Sequence, residues 1–223
     1  MSDSRPLPLP LGGGDFTFGQ ILARCLGAQR YELRHRDDAD RRNDLEKFDN
    51  PQAARLIARC DDADRYRALK TAPNLRRGWV LAVHTFEELI EALDCFYPGR
   101  LAAQRAHAAG VLRTTALRDT LNRQTGIYRV AAAIRDDQLD DVVGDFCRSQ
   151  GGCLRTILWR RDSNGAVPST KLPQDKYDPA VDQTTKATSP ETCPHLPLLC
   201  QEACNLLVAE CRRTVKQARN SQA

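Results

Sequence analysis

Residues 75–99 read LRRGWVLAVHTFEELIEALDCFYPG, and this stretch decides the fold. Its branched and aromatic residues predict a strand over Leu75–Val83. The capping-box pattern Thr85-x-x-Glu88 then starts a helix, which Pro98-Gly99 ends. The stretch therefore predicts a strand that is followed directly by a helix.

Upstream of this unit, alternating residues predict a β-hairpin. Aromatic and branched residues alternate with small or polar ones from Phe16 to about Arg24, and the same pattern returns over Tyr31–His35. Gly27 lies between the two segments and predicts the turn. Residues 1–15 are rich in Pro and Gly, and we predict that they form a flexible lead-in.

Downstream of the unit, helices and strands follow one another without strict alternation. We predict helices over Leu101–Ala109, Thr115–Arg123, Asp136–Phe146 and Leu199–Arg219, strands over Ile127–Ile134 and Leu154–Trp159, and a long loop over residues 161–192. This mixture favours the α+β class: a small mixed sheet with packed helices, followed by a cysteine-rich metal-binding subdomain that ends in a long helix. We place the first domain at residues 16–126 and the second at residues 127–223.

The composition is that of a globular protein, with 223 residues of which 41% are hydrophobic and 28% charged. The longest apolar run, Trp79–Val83, is far shorter than the roughly 20 residues of a membrane-spanning helix, so we expect no membrane partner. Residues 6–11, PLPLPL, are unsuited to the core of a signal peptide, and we expect a cytoplasmic protein. The net charge of +4 is too small to indicate nucleic-acid binding, and the sequence has no nucleotide-binding or serine-hydrolase motif.

Positive charge is concentrated between Arg100 and Arg135, a stretch that contains seven arginines and a single acidic residue, Asp119. One interpretation is a solvated face that keeps the protein in solution. The other is a docking surface for an anionic ligand or partner. The candidates for that surface are Arg113, Arg118, Arg123 and Arg129.

Nine cysteines in a chain without an export signal indicate metal binding or redox chemistry rather than a disulfide framework. Two pairs stand out. Cys147 and Cys153 flank two glycines that allow a tight backbone curve. Cys200 and Cys204 are four residues apart on the predicted terminal helix, which would place both on one face about 6 Å apart. Together they provide four thiolates for a 4Fe-4S cluster or a structural zinc ion.

The spacing of the first pair fits zinc less well, because paired zinc ligands are usually separated by two to four residues. Cys211 lies about 10 Å beyond Cys204 on the predicted helix, too far to share a compact centre. Cys193 is the reserve ligand, and His195 beside it is an alternative fourth ligand. Another interpretation is that the cysteines bind no metal and are simply reduced thiols.

Several stretches resemble one known family. They are FTFGQ at 16–20, YELRH at 31–35, LKTAPNLRRGW at 69–79, RQTGIYR at 123–129, CLRTILW at 153–159 and CQEAC at 200–204. In this order, over about residues 16–212, they resemble the C-terminal extension of CbiX-type sirohydrochlorin chelatases, in which a stabilising domain precedes a four-cysteine 4Fe-4S domain.

The resemblance implies that Cys147, Cys153, Cys200 and Cys204 hold a 4Fe-4S cluster. Chelatases of this type carry their metal-inserting domains before this region, whereas about 15 residues precede it here, so we expect no enzymatic activity from the chain on its own. Gln201 stands where the family pattern has proline. Within the LKTAPNLRRGW stretch, Lys70, Arg76 and Arg77 are further candidates for contacts with a ligand or partner.

Two function hypotheses follow. The first is an iron-sulfur accessory protein that works with a separately encoded chelatase in siroheme or cobalamin synthesis, where it transfers electrons or senses redox state. Arginines could then pair with the carboxylates of an anionic tetrapyrrole or with an acidic chelatase face. The alternative is a structural binding module whose fold is stabilised by zinc or by a cluster that has no redox role. The four histidines form no visible catalytic arrangement, which argues against a stand-alone enzyme.

Overall fold

A computed structural model describes residues 14–27, 30–41, 43–148, 152–163 and 193–221. The chain divides into two compact units, which we call unit 1 (Met1–Val111 and Thr185–Leu198) and unit 2 (Leu112–Thr184 and Leu199–Ala223). Most of the predicted lead-in and most of the predicted 161–192 loop lie outside the described residues.

The described residues form strands and helices in the mixture expected of an α+β protein. The strands are β1 (Phe16–Phe18), β2 (Ile21–Cys25), β3 (Tyr31–His35), β4 (Glu46–Phe48), β5 (Trp79–Val83), β6 (Arg155–Ile157), β7 (His195–Leu196) and β8 (Leu198–Cys200). The α-helices are α1 (Ala53–Ile57), α2 (Phe86–Phe96), α3 (Arg100–Ala108), α4 (Leu117–Asn122), α5 (Asp136–Cys147) and α6 (Asn205–Asn220). Short 3-10 helices span Arg36–Asp38 and Gly126–Ala133. No described helix is long and apolar enough to cross a membrane.

Unit 1 is built on a six-stranded mixed sheet with the order β4-β5-β3-β2-β1-β7. The outer pairs β4-β5 and β1-β7 are parallel, and the inner pairs are antiparallel. The predicted hairpin is confirmed as β2-β3, in which Cys25 pairs with Tyr31. The predicted strand from Phe16 to Arg24 is two strands, because the chain turns back at Gly19, whose φ is +60°.

The predicted strand-helix unit is also confirmed. The strand itself is shorter than predicted and begins at Trp79. The Thr85 hydroxyl accepts a hydrogen bond from the Glu88 amide (3.1 Å) and so caps α2. Trp79 is fully buried and stacks on Phe96, with 5.1 Å between ring centroids. This contact joins the strand to the end of the helix.

The prediction of a strand over Ile127–Ile134 is wrong, since Gly126–Ala133 forms a 3-10 helix. The buried residues in this segment, Ala131 and Ile134, are three apart, which is the repeat of a 3-10 helix rather than of a strand. Their small and branched side chains pack in the core of unit 2, and the Arg212 guanidinium of α6 donates a hydrogen bond to the Ile127 carbonyl (2.9 Å).

The terminal helix begins at Asn205, not at the predicted Leu199. Leu198–Cys200 is instead a buried strand that pairs with β6, and the Leu158 amide donates to the Cys200 carbonyl (2.9 Å). Cys204 is extended, with φ −79° and ψ 161°, and is the N-cap residue of α6.

The core of unit 2 consists of apolar residues from α4, α5, α6 and the 126–133 3-10 helix, packed around Trp159. Leu117 and Leu121 of α4 are fully buried in it. Because of this packing, the compact unit begins at residue 112, whereas the boundary predicted from the sequence lies at residue 126.

Candidate metal centre

The four cysteines selected from the sequence line one cavity in unit 2. Cys147 ends α5, Cys153 follows it after a short connection, Cys200 ends β8 and Cys204 caps α6. Cys153 and Cys200 are buried, and the other two are half-buried. The thiols therefore approach the cavity from four separate points of the backbone.

The rest of the cavity wall is mostly apolar. Phe146, Ile157, Trp159, Ala203 and Leu207 line it, together with one charged residue, Arg155. An apolar wall excludes water and lowers the local dielectric, so charges inside the cavity interact strongly.

Two nitrogen donors point at cavity thiols. The Arg155 Nε donates to the Cys153 Sγ (3.1 Å), and the Trp159 indole Nε1 donates to the Cys200 Sγ (3.1 Å). Neither donor was predicted from the sequence. The signal was present in the sequence, because Cys153, Arg155, Ile157 and Trp159 are spaced by two and thus share one face of an extended segment.

The electrostatics of the cavity favour the neutral thiol at two of the four cysteines, Cys147 and Cys200. Burial raises the pKa of Cys147, and charge on the other three cysteines raises it further, while Arg155 opposes the shift. Burial also raises the pKa of Cys200, against the effects of Arg155 and Trp159. Four thiolates in one apolar cavity therefore need a cationic centre to offset their mutual repulsion, and loading such a centre releases protons.

The donor set fits a 4Fe-4S cluster. Thiolates are the ligands that hold iron-sulfur clusters, and N–H donors to the ligand sulfurs are a usual feature of their surroundings. Cys147, Cys153, Cys200 and Cys204 are the residues that would hold the cluster. Among the described residues, no three Cys, His, Asp or Glu side chains converge closely enough to hold a single metal ion.

The other cysteine and histidine candidates lie elsewhere. Cys193, the reserve ligand, belongs to unit 1 and precedes β7, where burial raises its pKa and Asp15 acts in the same direction. His195 is bonded to the Thr17 hydroxyl (2.9 Å) in the same unit. Cys211 is fully buried in the core of unit 2, and burial raises its pKa to about 12.

The predicted basic residues of unit 2 divide into two kinds. Arg118 donates to the Ile134 carbonyl (2.8 Å) and pairs with Asp136, so it ties α4 to the start of α5. Arg123 is exposed and donates to the Asp119 carbonyl (3.3 Å) on its own helix. Arg113 and Arg129 are also exposed, and no hydrogen bond or ion pair engages them in the described part of the chain.

The predicted basic residues of unit 1 make contacts within that unit. The Lys70 Nζ donates to the Ala58 carbonyl (2.9 Å), and burial lowers its pKa. Arg76 pairs with Glu46, and Arg77 pairs with Asp37 at 2.8 Å. These three side chains stabilise the 58–78 segment, whatever else they bind.

Comparison with known protein families defines the class of protein. Residues 12–108 match the DR2241 stabilising domain, and residues 109–213 match a 4Fe-4S iron-sulfur cluster binding domain. The chain is thus a stabilising domain followed by a 4Fe-4S domain, as the sequence resemblance implied. Its cofactor is a 4Fe-4S cluster, which decides the choice between iron and zinc that cysteine spacing left open.

A solved structure extends this result. The chain is similar to DR2241 from Deinococcus radiodurans, a multi-domain protein with structural similarity to chelatases and with two additional novel domains. The two are 28% identical with a TM-score of 0.70, over 91% of this chain and 39% of DR2241. The chain thus spans well under half the length of that protein. No functionally curated protein is significantly similar to it.

Proposed function

We propose that this chain is an iron-sulfur accessory module that acts with a sirohydrochlorin chelatase in siroheme or cobalamin synthesis, where it transfers electrons or senses redox state. The observation that carries the proposal is the convergence of four thiols on one cavity of a 4Fe-4S domain. The chelatase partnership is supported by the similarity to DR2241, which combines chelatase-like structure with two additional domains.

Each part of the cavity contributes to such a role. The cluster supplies one-electron chemistry when it is bound. The cysteines hold it, two of them half-buried, and the apolar wall keeps water from the ligand sulfurs. A thiol-ligated cluster requires reduced cysteines, which favours the cytoplasmic location expected from the sequence.

Arg113 and Arg129 are the best candidates for contact with an anionic tetrapyrrole or an acidic chelatase face, because both are exposed and neither has an intramolecular partner in the described residues. Their joint replacement by alanine is expected to weaken binding of the chelatase or of sirohydrochlorin at least tenfold. Exposed Arg160→Ala is the control, with affinity close to wild type. Unchanged binding by the double variant would remove these arginines from the proposal.

The first experiment is an absorption spectrum of anaerobically purified protein, with iron, sulfide and zinc assayed on the same sample. Wild type is expected to show a broad band near about 400 nm and roughly four irons per chain. Cys200→Ala is expected to lose both, while Cys211→Ala, which removes a thiol outside the cavity, keeps them. A colourless wild-type protein with about one zinc would contradict the redox proposal.

A second candidate function is a structural cluster that staples a binding module. It is favoured by the position of the ligands in the fold, since Cys200 belongs to the core of unit 2 and Cys147 and Cys204 pack against that core. A redox titration separates the two functions. A cluster that cannot be reduced, but whose removal unfolds unit 2, would support the structural role.

A further inference from the structure

Among the described residues, Arg155 is the one charged side chain in the wall of the thiol cavity. Its Nε donates to the Cys153 Sγ (3.1 Å), and no carboxylate pairs with it among the residues that the structure describes. A guanidinium that lines a cavity of four thiols and has no carboxylate partner among the described residues requires negative charge in the cavity to offset its desolvation.

The charge of Arg155 reaches beyond Cys153. Cys147, Cys200 and Cys204 line the same cavity as Arg155, and the rest of the described wall is mostly apolar. In such a low-dielectric cavity the charge of one guanidinium acts on every thiolate, although Arg155 is hydrogen-bonded to a single sulfur.

Two further dipoles lie at other ligand residues. The Trp159 indole N–H donates to the Cys200 Sγ (3.1 Å) from a buried ring. Cys204 is the N-cap residue of α6, so this ligand residue stands at the positive end of a 16-residue helix. All these groups stabilise negative charge on the ligands, and charge-assisted hydrogen bonds of this kind are about twice as strong as neutral ones.

We propose that Arg155 is the fixed counter-charge of the cluster and that Arg155 and Trp159 together raise its reduction potential. This inference rests on the redox role proposed above and deepens it. Both are positioning residues: they hold sulfur ligands and bind no substrate. Reduction by a low-potential one-electron donor adds one negative charge to the cluster. The guanidinium and the indole N–H stabilise that added charge, so they favour the reduced state over the oxidised state.

The test compares variants of the full chain by anaerobic titration with dithionite, followed by absorption and electron paramagnetic resonance. Arg155→Gln removes the charge and keeps an N–H donor, and Arg155→Lys keeps the charge. Trp159→Phe removes the indole donor together with part of a buried ring. Arg160→Gln is the matched control, since it removes an exposed charge five residues along the same segment.

Arg155→Gln is expected to lower the ratio of reduced to oxidised cluster at a fixed potential at least tenfold, which is about 59 mV for a one-electron couple. Trp159→Phe should lower the ratio by roughly threefold, while Arg155→Lys and Arg160→Gln stay near wild type. If Arg155→Gln fails to retain iron, Arg155→Lys is the deciding variant. Arg155→Lys that retains its iron and has a wild-type reduction potential supports Arg155 as the counter-charge, whereas loss of iron from Arg155→Lys overturns that role.

Three results would overturn the inference. They are an unchanged potential in Arg155→Gln with its cluster intact, an equal shift in Arg160→Gln, and a wild-type cluster that dithionite cannot reduce. Chelatase binding is measured separately on the same variants. A potential that depends on Arg155 in a protein that binds no chelatase would sustain this inference and refute the proposed partnership.

Discussion

Gly19 offers the sharpest test of how the sheet of unit 1 is held together. The residue has a φ of +60°, and a methyl group on it would lie 2.7 Å from the Tyr97 hydroxyl and 2.9 Å from the Leu198 Cδ1. Tyr97 is fully buried and its hydroxyl accepts a hydrogen bond from the Gln20 amide (2.8 Å). Gly19→Ala must therefore displace the ring that satisfies the neighbouring backbone donor.

The expected loss has two parts. Left-handed backbone costs an alanine about 1 kcal/mol relative to glycine, and overpacking a buried site typically costs about 1–3 kcal/mol more. Gly110→Ala isolates the first part, because Gly110 has a similar φ of +68° with no atom within 4 Å of the added methyl. Both changes restrict the unfolded chain equally, so that effect cancels. Gly19→Ala should be the more destabilising by at least about 1 kcal/mol.

The assay is urea unfolding followed by tryptophan fluorescence. The protein has two tryptophans, one in each unit, so Trp159→Phe leaves Trp79 as the reporter for unit 1. Gly19→Ala and Gly110→Ala are compared in that background. Equal free energies of unfolding for the two variants would refute the argument that Tyr97 is packed against Gly19.

Three other predictions concern unit 2 and pH. Anaerobic removal of iron should reduce hydrogen-exchange protection in α5 and α6 but not in β2 and β3, and equal losses in both units would contradict a centre confined to unit 2. Cys211→Ala should keep the iron content and lower the free energy of unfolding by about 1 kcal/mol, the scale of one buried methylene; loss of iron would contradict its exclusion from the centre. Burial lowers the pKa of His35, so the unfolded state binds a proton that the folded state does not, and stability should fall as pH drops below about 6.5, by up to about 1.4 kcal/mol per pH unit. His35→Gln should flatten this dependence in urea unfolding, whereas exposed His84→Gln should not.

Local sequence signals predicted most of unit 1. The N-cap at Thr85, the alternation over Tyr31–His35 and the stop at Pro98-Gly99 are each complete within a few residues, and the structure follows all three. The turn at Gly19 escaped prediction because glycine fits the small positions of an alternating strand. Its cause is distant in sequence, since the chain turns where Tyr97 occupies the space that a side chain would need.

In unit 2, two periodic signals were ambiguous. The segment Ile127–Ile134 is apolar at most positions, and such runs match a strand, a helix or a 3-10 helix equally well. The run at Leu198–Cys200 has the same ambiguity, and pairing with β6 resolves it as a strand. Neither the 3-10 helix nor the β6-β8 pair could be predicted without knowing which core surface each segment meets.

The four cysteines that line one cavity were selected from the sequence with partly wrong geometry. Helical spacing predicted Cys200 and Cys204 on one face of one helix, but the first ends a strand and the second caps the helix that follows. Two thiols on one rigid helix face would approach from a single side. In the structure the four thiols come from the end of α5, the segment before β6, the end of β8 and the start of α6. The N–H groups of Arg155 and Trp159 donate to two of these thiols, those of Cys153 and Cys200. The strand-to-helix junction at 200–204 is therefore what allows the polypeptide to surround the cavity, and moving the helix start to residue 199 would remove both the β6 pairing and the Trp159 contact.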